Sequence, residues 1–476
     1  MRMVGPVLLL VSALAVPCSA QKSSPPKCKE NLARQNPDAA IHVCMQAIES
    51  GKLSHEQLAD ALDTRGRAYD VKGEYKAAIE DLRTAIQLEP EFVEAHLDLG
   101  YALDGDGDLD GAIAEFREAV SMDPGYGKAH SNLGAALYSK GDLDGAIAEF
   151  REAIRLEPDL VEAHTDLGLT LKRKGDLDGA IAEYREAILN DPGFAYAHTN
   201  LGNALMEKGD LEGAIAEERT AIRLKPDLAG AHMNLGNALY AKGDLEGGIA
   251  EFREAIRLNP NLAMEHNYLG KALYRRGDRS DAIAEYRQAI RLNANYTEAH
   301  ANLGFALYRK GDLRGAVAEL EEAIRLKPDL AGAHYGLGIA LADNGDYGEA
   351  VKEYRAVLLL APKSAWAHGA ERALGVAYAR GKGVSQNDEE AVRWLRKAAE
   401  EGDIAAQFEL GKMVLKGRGV PGGDAVQAYM WFSLSLHGGN PKARPAVTRL
   451  SRSMTSAAVA EGDRRVEAWL EQHPQK

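Results

Sequence analysis

The sequence predicts an all-α protein, an α-solenoid in which antiparallel helix pairs stack one after another. Three observations predict this class: glycine recurs every 34 residues at nine positions, proline follows at a fixed distance, and the apolar residues between them have helical spacing. The composition agrees, because Ala, Leu, Gly and Glu dominate and aromatic residues make up only 6% of the chain. A repeat array would therefore account for most of the 476 residues.

Residues 1–20 have a different character from the rest of the chain. Arg2 precedes an apolar run from Val7 to Val16, and the small residues Cys18 and Ala20 follow. This pattern predicts a signal peptide that is cleaved after Ala20. The apolar run is about half as long as a membrane-spanning helix, so we expect a periplasmic or secreted protein with no membrane span after cleavage. Lipid attachment at Cys18 is the less favoured alternative, because Pro17 stands where a lipoprotein site requires a small residue.

Cleavage would leave two cysteines, Cys28 and Cys44. A pair of cysteines in an exported chain favours a disulfide. If Asn36–Pro37 is the turn of a helical hairpin, both cysteines lie eight residues from Asn36, at equal height on the two helices. A bridge there would close a loop of roughly 15 residues and stabilise the hairpin by about 3 kcal/mol. Two buried thiols are the alternative, and in either case residues 21–58 are predicted to form an irregular starting hairpin.

Nine tandem units of 34 residues are predicted over residues 59–364. The recurring glycines are Gly66, Gly100, Gly134, Gly168, Gly202, Gly236, Gly270, Gly304 and Gly338, and a proline lies 24 residues after each of them except Gly270. In the unit 127–160 two amphipathic helices are expected, since Gly141 can end the first, Asp142 can cap the second and Pro158 can stop it. Glycine inside a helix costs about 1 kcal/mol, so Gly134 requires a compensating close contact, for which Phe150 is the partner expected.

These units resemble the tetratricopeptide repeat family in their Leu-Gly pair, their Ala-rich second helix with an aromatic residue, and their closing proline. The resemblance covers roughly two thirds of the chain. It implies a right-handed superhelix of helix pairs in which the first helix of each pair lines the concave surface. Glu218 takes the place of the aromatic residue in one unit, and Arg279–Ser280 replaces a Leu-Asp pair in another. We therefore expect the weakest packing within residues 195–296.

The repeat changes after Pro362. Leu374–Gly375 and Leu410–Gly411 are 36 residues apart, and the loop Gly381–Val384 is matched by Gly417–Val420. These features resemble Sel-one-like repeats, and two of them are expected over residues 365–441. Residues 442–476 are predicted to form capping helices that cover the open end of the stack.

Neither composition nor motifs indicate catalysis or a cofactor. The net charge of −14 argues against binding to nucleic acid or anionic lipid. Histidines at one position of eight units cannot converge on a metal ion, because neighbouring helices stand about 8–10 Å apart, and we expect them in a helix–helix seam. Acidic residues in 104–111 have calcium-loop spacing, but Leu109 stands where that loop needs glycine. The repeats leave no room for a catalytic domain, so we expect no enzyme, no metal and no cofactor.

The resemblance places the ligand groove on the first helices. The residue before the Leu-Gly pair is often asparagine, which can both donate and accept hydrogen bonds. This ladder is similar to the one that holds peptides in O-linked N-acetylglucosamine transferases, although Asp166 and Tyr268 interrupt it here. We expect the tyrosines to be exposed anchors and the basic residues to make the groove positive. The predicted groove residues are Asn132, Asn200, Asn203, Asn234, Asn237, Asn302, Tyr138, Tyr240, Tyr274, Tyr308, Lys128, Lys172, Lys271 and Arg275. The alternative is that they are ordinary solvent-facing consensus residues.

The leading functional hypothesis is an exported, bacterial scaffold or adaptor that binds protein or peptide partners in this groove, as a monomer or with weak self-association. A self-associating structural component of a cell-envelope assembly is the alternative. A carbohydrate-binding role ranks last, because the four tryptophans lie beyond the main array in sequence.

Overall fold

The computed structural model describes residues 36–473, and all regular structure in this range is helical, so the all-α prediction is confirmed. The expected signal peptide and Cys28 lie outside the described residues, and Cys44 is buried. The helices are α1 Pro37–Glu49, α2 His55–Val71, α3 Tyr75–Leu88, α4 Val93–Asp106, α5 Leu109–Met122, α6 Gly127–Lys140, α7 Leu143–Leu156, α8 Val161–Lys174, α9 Leu177–Asn190, α10 Ala195–Lys208, α11 Leu211–Leu224, α12 Ala229–Lys242, α13 Leu245–Leu258, α14 Ala263–Arg276, α15 Arg279–Leu292, α16 Thr297–Lys310, α17 Leu313–Leu326, α18 Ala331–Asn344, α19 Tyr347–Leu360, α20 Ala365–Arg380, α21 Asp388–Glu400, α22 Ile404–Leu415, α23 Ala425–His437, a 3-10 turn Pro441–Ala443, α24 Arg444–Ser453 and α25 Ser456–Gln472.

The chain divides into two compact units after Gly243, with α1–α12 in the first unit and α13–α25 in the second. Within each unit, each helix up to α23 packs on the next, as short connections between helices require, and α25 packs on α23. First helices of successive pairs also contact each other: α2 contacts α4 in the first unit, for example, and α14 contacts α16 in the second. No such contact of similar extent joins the second helices of the successive pairs from α2–α3 to α22–α23. The first helices therefore form the inner face of each unit, and the solenoid class is confirmed.

A recurrent turn sets the length of every repeat helix, because the helices between Tyr75 and Leu360 all have 14 residues. In the third unit Gly141 adopts a left-handed conformation with φ of 91°. The Gly141 amide donates to the carbonyl of Tyr138, and the Asp142 amide donates to that of Leu137. These two bonds satisfy carbonyls at the end of α6, so the glycine ends each first helix at the same place.

The interior glycine of the first helix makes room for the aromatic side chain of the second. A Cβ atom on Gly134 would lie 2.8 Å from the ring of Phe150, which is fully buried. The same contact joins Gly168 to Tyr184 and Gly270 to Tyr286. This ring packing offsets the cost of a helical glycine, about 1 kcal/mol, in every unit that has it.

A second recurrent glycine allows an aspartate to cap the second helix. The Asp142 carboxylate accepts from the amide of Gly145 at 3.0 Å, and a Cβ atom on Gly145 would lie 2.6 Å from that carboxylate. In α15 the equivalent residue is Asp281, and Asp278 forms no cap bond with the helix. The Arg279–Ser280 repeat therefore lacks an interaction that is usually worth about 1 kcal/mol.

The recurring histidines lie buried in the seam between the first and second helices. Nδ1 of His96 is 2.7 Å from a carboxylate oxygen of Glu115, and its Nε2 is 3.2 Å from the carbonyl of Pro90. Both ring nitrogens face acceptors in this way at His96, His130, His164, His198, His300 and His334. Each such imidazole ties the first helix to the second helix and to the preceding loop.

The second unit ends in two longer hairpins, α20–α21 and α22–α23, followed by α24 and α25. Glycines in their loops let backbone approach backbone: a Cβ atom on Gly419 would lie 2.0 Å from the carbonyl oxygen of Asp388. The apolar residues Val459, Val466 and Trp469 of α25 pack against the cluster of these hairpins. The Tyr429 hydroxyl hydrogen-bonds Asp463 at 3.0 Å and fastens α25 to α23.

Candidate peptide-binding faces

The asparagine ladder of the first unit lies on first helices, and several of its amides have partners inside the protein. The side chain of Asn132 lies against the hydroxyl of Tyr101, and Nζ of Lys172 donates to Asn203. An amide offers two donors and two acceptor lone pairs, so one internal bond leaves capacity for a ligand. These contacts orient the ladder side chains and use part of their capacity.

Accessibility differs along the ladder. Asn200 and Asn203 are half-buried, whereas Asn234 and Asn237 are only 8% and 6% exposed. Asp166, the interruption expected from the sequence, is 8% exposed. Burial, together with the negative charge of Glu162, raises the pKa of Asp166 to about 7. Asn200 and Asn203 are therefore more accessible than Asn234 and Asn237.

Tyr138 does not belong to an exposed aromatic row, and the expectation that it is an open anchor was wrong. It is 7% exposed, because the guanidinium of Arg173 lies 4.8 Å from the centre of its ring. The same guanidinium donates to the Tyr138 carbonyl at 3.1 Å. Tyr240, further along the unit, is half-buried.

The positive groove stays a prediction for the first unit, where two cations lie beside carboxylates. Lys128 is half-buried, and Lys172 forms an ion pair with Glu207 at 2.9 Å. Nearer the amino-terminal end, Arg67 lies 3.3 Å from Asp98, whose carboxyl also interacts with a second aspartate, Asp63. Burial raises the pKa of Asp98, although the charge of Arg67 and the hydrogen bond with Asp63 both lower it. Lys172 and Arg67 are thus each paired with a carboxylate in the first unit.

In the second unit the predicted residues form a more varied surface. Nδ2 of Asn302 donates to the side-chain oxygen of Asn267 at 2.9 Å, and Asn267 donates to the hydroxyl of Tyr296. The Tyr308 hydroxyl donates to Asp343 at 2.7 Å. Nζ of Lys271 lies 4.8 Å from the centre of the Tyr268 ring, and burial lowers its pKa. Tyr274 is half-buried and Arg275 is exposed.

Three aromatic residues that the sequence did not single out share the inner side of this unit. We name Phe305, Tyr335 and Trp366 the aromatic platform. They lie on α16, α18 and α20, and the rings of Phe305 and Trp366 are 6.3 Å apart and inclined by only 16°. Tyr335 lies 5.5 Å from Trp366. Trp366 is 42% exposed, so the platform meets solvent.

Glycines clear the space for these rings. A Cβ atom on Gly336 would lie 2.5 Å from the Phe305 ring, and one on Gly369 would lie 2.3 Å from the Tyr335 hydroxyl. A Cβ atom on Gly332 would lie 3.5 Å from the Trp366 indole, an ordinary van der Waals contact, so this glycine is not required by the ring. The ladder position that holds asparagine in four other units is Gly336 here, and aromatic rings occupy the space beside it.

Within residues 36–473, no group of three or more His, Cys, Asp or Glu side chains is arranged to hold a metal ion. Asp108, inside the stretch with calcium-loop spacing, accepts from the Gly111 amide at 2.9 Å and caps α5. Of the helices in the described range, none is both long and apolar enough to cross a membrane.

The fold and the inner faces define a helical repeat protein of the solenoid class. A family model described as TPR repeat matches six overlapping segments within residues 134–345, and models described as Tetratricopeptide repeat match residues 64–127 and 331–364. A model described as Sel1 repeat matches residues 368–403 and 404–440. The chain therefore belongs to the tetratricopeptide repeat family and carries two Sel1 repeats after the main array.

Solved structures resemble the chain in fold. The crystal structure of c5321, a protective antigen of uropathogenic Escherichia coli strains with an SLR fold, is 21% identical and has a TM-score of 0.64. The match covers 91% of this chain and 95% of that one. PilF of Pseudomonas aeruginosa is 21% identical over 44% of this chain and 95% of its own, with a TM-score of 0.41. No curated protein matches the chain in sequence.

Proposed function

We infer that this protein is an exported scaffold that binds extended segments of protein partners along the inner faces of its two units. The observation that carries the inference is the make-up of the first helices. Their inner positions hold half-buried amides and aromatic rings, such as Asn200, Tyr274 and Trp366, in place of purely aliphatic or purely charged side chains. Amides satisfy the backbone of a bound segment and rings supply rigid contact area, which together suit a polypeptide ligand.

Repeat proteins of this class commonly mediate protein interactions, since their stacked helices present a long continuous surface. The described residues show no metal-binding group, and the recurrent polar groups are committed to caps and seams. Export is supported by the amino-terminal pattern of residues 1–20, which predicts cleavage after Ala20. Expression of the full chain in a bacterial host, followed by fractionation and amino-terminal sequencing, tests this part: a mature protein that begins at Gln21 is expected, and an intact Met1 in the cytoplasm would contradict export.

Binding is tested by capture of partners from a cell-envelope extract. The test variant combines Asn200→Ala with Asn302→Ala, one rung in each unit. The matched control combines Asn261→Ala with Asn295→Ala, which lie exposed in loops between repeat helices. We expect the ladder variant to lose partners that the wild type and the control retain, with unchanged circular dichroism. Equal recovery by both variants would remove the ladder from the mechanism.

A further inference from the structure

The aromatic platform of the second unit is built as a surface and not as part of the core. The core of this region is complete without Trp366, because Leu320, Leu337 and Leu374 already fill it as buried residues. Phe305 and Tyr335 pack on the edge of that core, and Trp366 lies further out. An indole ring left 42% exposed on the inner side of a repeat protein is an anchor of the kind that dominates binding energy at interfaces.

The packing of the aromatic platform depends on a glycine that makes α18 less stable. Gly336 lies in the interior of α18, where glycine is about 1 kcal/mol less favourable than alanine. It is not needed to end the helix, since the C-cap of α18 is Gly345. Its effect is to leave room for the Phe305 ring, which meets the Trp366 ring above α18 although α16 and α20 are not consecutive first helices.

Two features restrict what can cover these rings. The ionisable groups near them already have partners: Arg372, which interacts with Tyr335, lies 3.2 Å from Asp403, and His368 lies 2.6 Å from Glu401. The surface therefore complements a neutral group. In the described part of the chain, no acceptor takes the indole N–H of Trp366, so that donor is available to a ligand next to the ring.

We propose that the aromatic platform binds a proline-containing, extended polypeptide segment. Prolyl rings are neutral and lie flat on aromatic faces, and the carbonyl groups of a polyproline II segment remain free to accept from an indole N–H. Such a segment is already extended, so it loses little conformational entropy on binding. A saccharide is the other neutral ligand that stacks on exposed rings, but an extended segment also continues along the asparagine-bearing first helices next to the platform. The proposal rests on the proposed function and specifies the partner for the second unit.

The experiment uses the full chain and two synthetic decapeptides, one rich in proline and one with alanine at each proline position. Calorimetry and intrinsic fluorescence report binding to the wild type, to Trp366→Ala and to Trp366→Phe. We expect the proline-rich peptide to bind at least tenfold more tightly than the alanine peptide, and Trp366→Ala to weaken it by about tenfold or more, a change of about 1.4 kcal/mol. Trp366→Phe keeps a ring face without the N–H, and we expect its affinity for the proline-rich peptide to lie between those of the wild type and Trp366→Ala.

Leu189→Ser is the control, because Leu189 is an apolar side chain, 72% exposed, in the first unit. It should leave binding unchanged, and all variants should keep the wild-type circular dichroism. Equal binding of the two peptides, or binding that Trp366→Ala does not alter, would overturn the proposal. If the wild type binds chitohexaose but neither peptide, and Trp366→Ala loses chitohexaose binding, the platform is a carbohydrate site instead. If the proline-rich peptide does not bind but the wild type still captures proteins through the asparagine ladder, only the platform proposal is wrong. If the peptide does not bind and no ladder-dependent capture is seen, the proposed function is wrong as well.

Discussion

Raising the pH is expected to weaken the seam between the first and second helices of the repeats. A neutral imidazole has one N–H, yet His96 places Nδ1 at 2.7 Å from Glu115 and Nε2 at 3.2 Å from the Pro90 carbonyl, and both of these are acceptors. Only the imidazolium ion can donate to both. The hydrogen bond with Glu115 raises the pKa of His96, and the bond with Glu217 raises that of His198. Burial is the largest influence on His164 and opposes its protonation, but the bonds with Glu183 and the Pro158 carbonyl, together with the charges of Glu183 and Glu186, raise that pKa as well.

The sign follows from the direction of these shifts. A histidine whose pKa is higher in the folded than in the unfolded state stabilises the fold fully below the unfolded value of about 6.5, and this contribution is lost as the pH rises through the folded pKa. Each deprotonation removes one of two buried hydrogen bonds, which contributes about 1 kcal/mol. The three histidines together contribute about 3 kcal/mol, spread over three repeats of the first unit.

Urea unfolding, followed by circular dichroism from about pH 6 to about pH 9, measures the effect. The comparison protein replaces His96, His164 and His198 with glutamine, which does not titrate. Asp70 and Asp166 titrate in the same interval, because burial raises their pKa values to about 6 and about 7. Both proteins contain these two aspartates, so the measurement to compare is the difference in free energy of unfolding between the wild type and the glutamine variant. We expect the wild type to lose its advantage as the pH rises. A difference that stays constant across this range would refute the two-donor arrangement.

Three further substitutions test individual packing arguments. Asp166→Asn should raise the free energy of unfolding by about 2 kcal/mol at about pH 8, since it removes a buried carboxylate whose pKa burial raises to about 7. The gain should shrink as the pH falls below about 7 and vanish near about pH 4, where the carboxyl of the unfolded chain is protonated as well; a gain independent of pH would contradict this. Glu218→Phe should raise the melting temperature, because a fully buried carboxyl beside Gly202 stands where most other units have a ring. Burial raises the pKa of Glu218 well above the usual range, and we expect its replacement to raise the free energy of unfolding by about 2 kcal/mol. A lower melting temperature would show that the site cannot hold a ring. Gly134→Ala should cost about 2 kcal/mol through overlap with a buried ring, whereas Gly230→Ala, with nothing within 4 Å of the added Cβ, should be neutral or slightly stabilising, so equal losses in thermal unfolding would contradict the close-packing account.

Much of the repeat geometry could be predicted from spacing alone. The period predicted two helices in the unit 127–160, the end of the first at Gly141, and the contact of Gly134 with Phe150, and each of these is present. These features depend on residues close in sequence or on neighbours at one constant offset. The same local interactions recur in each repeat of a periodic chain, so the structure of one unit predicts that of the others.

The exposure of side chains on the inner faces was harder to predict from the sequence. Tyr138 was expected to be open, but Arg173, 35 residues later in the chain, covers its ring. The platform was missed because Trp366 lies after the last regular unit in sequence, and only packing brings it beside Phe305. A signal was present in the unusual glycines Gly332 and Gly336, which interrupt positions that hold larger residues in most other units.

The amino-acid sequence by itself determined the helical class, the lengths of the repeat helices and the residues that join the two helices of a unit, because these depend on period, caps and steric fit over short distances. The tertiary structure alone decided which inner-face side chains remain open, which charges are already paired and where the exposed rings gather. Exposure and pairing are properties of residues brought together from different repeats, and the same residue type can be buried in one repeat and open in the next according to what its neighbours carry.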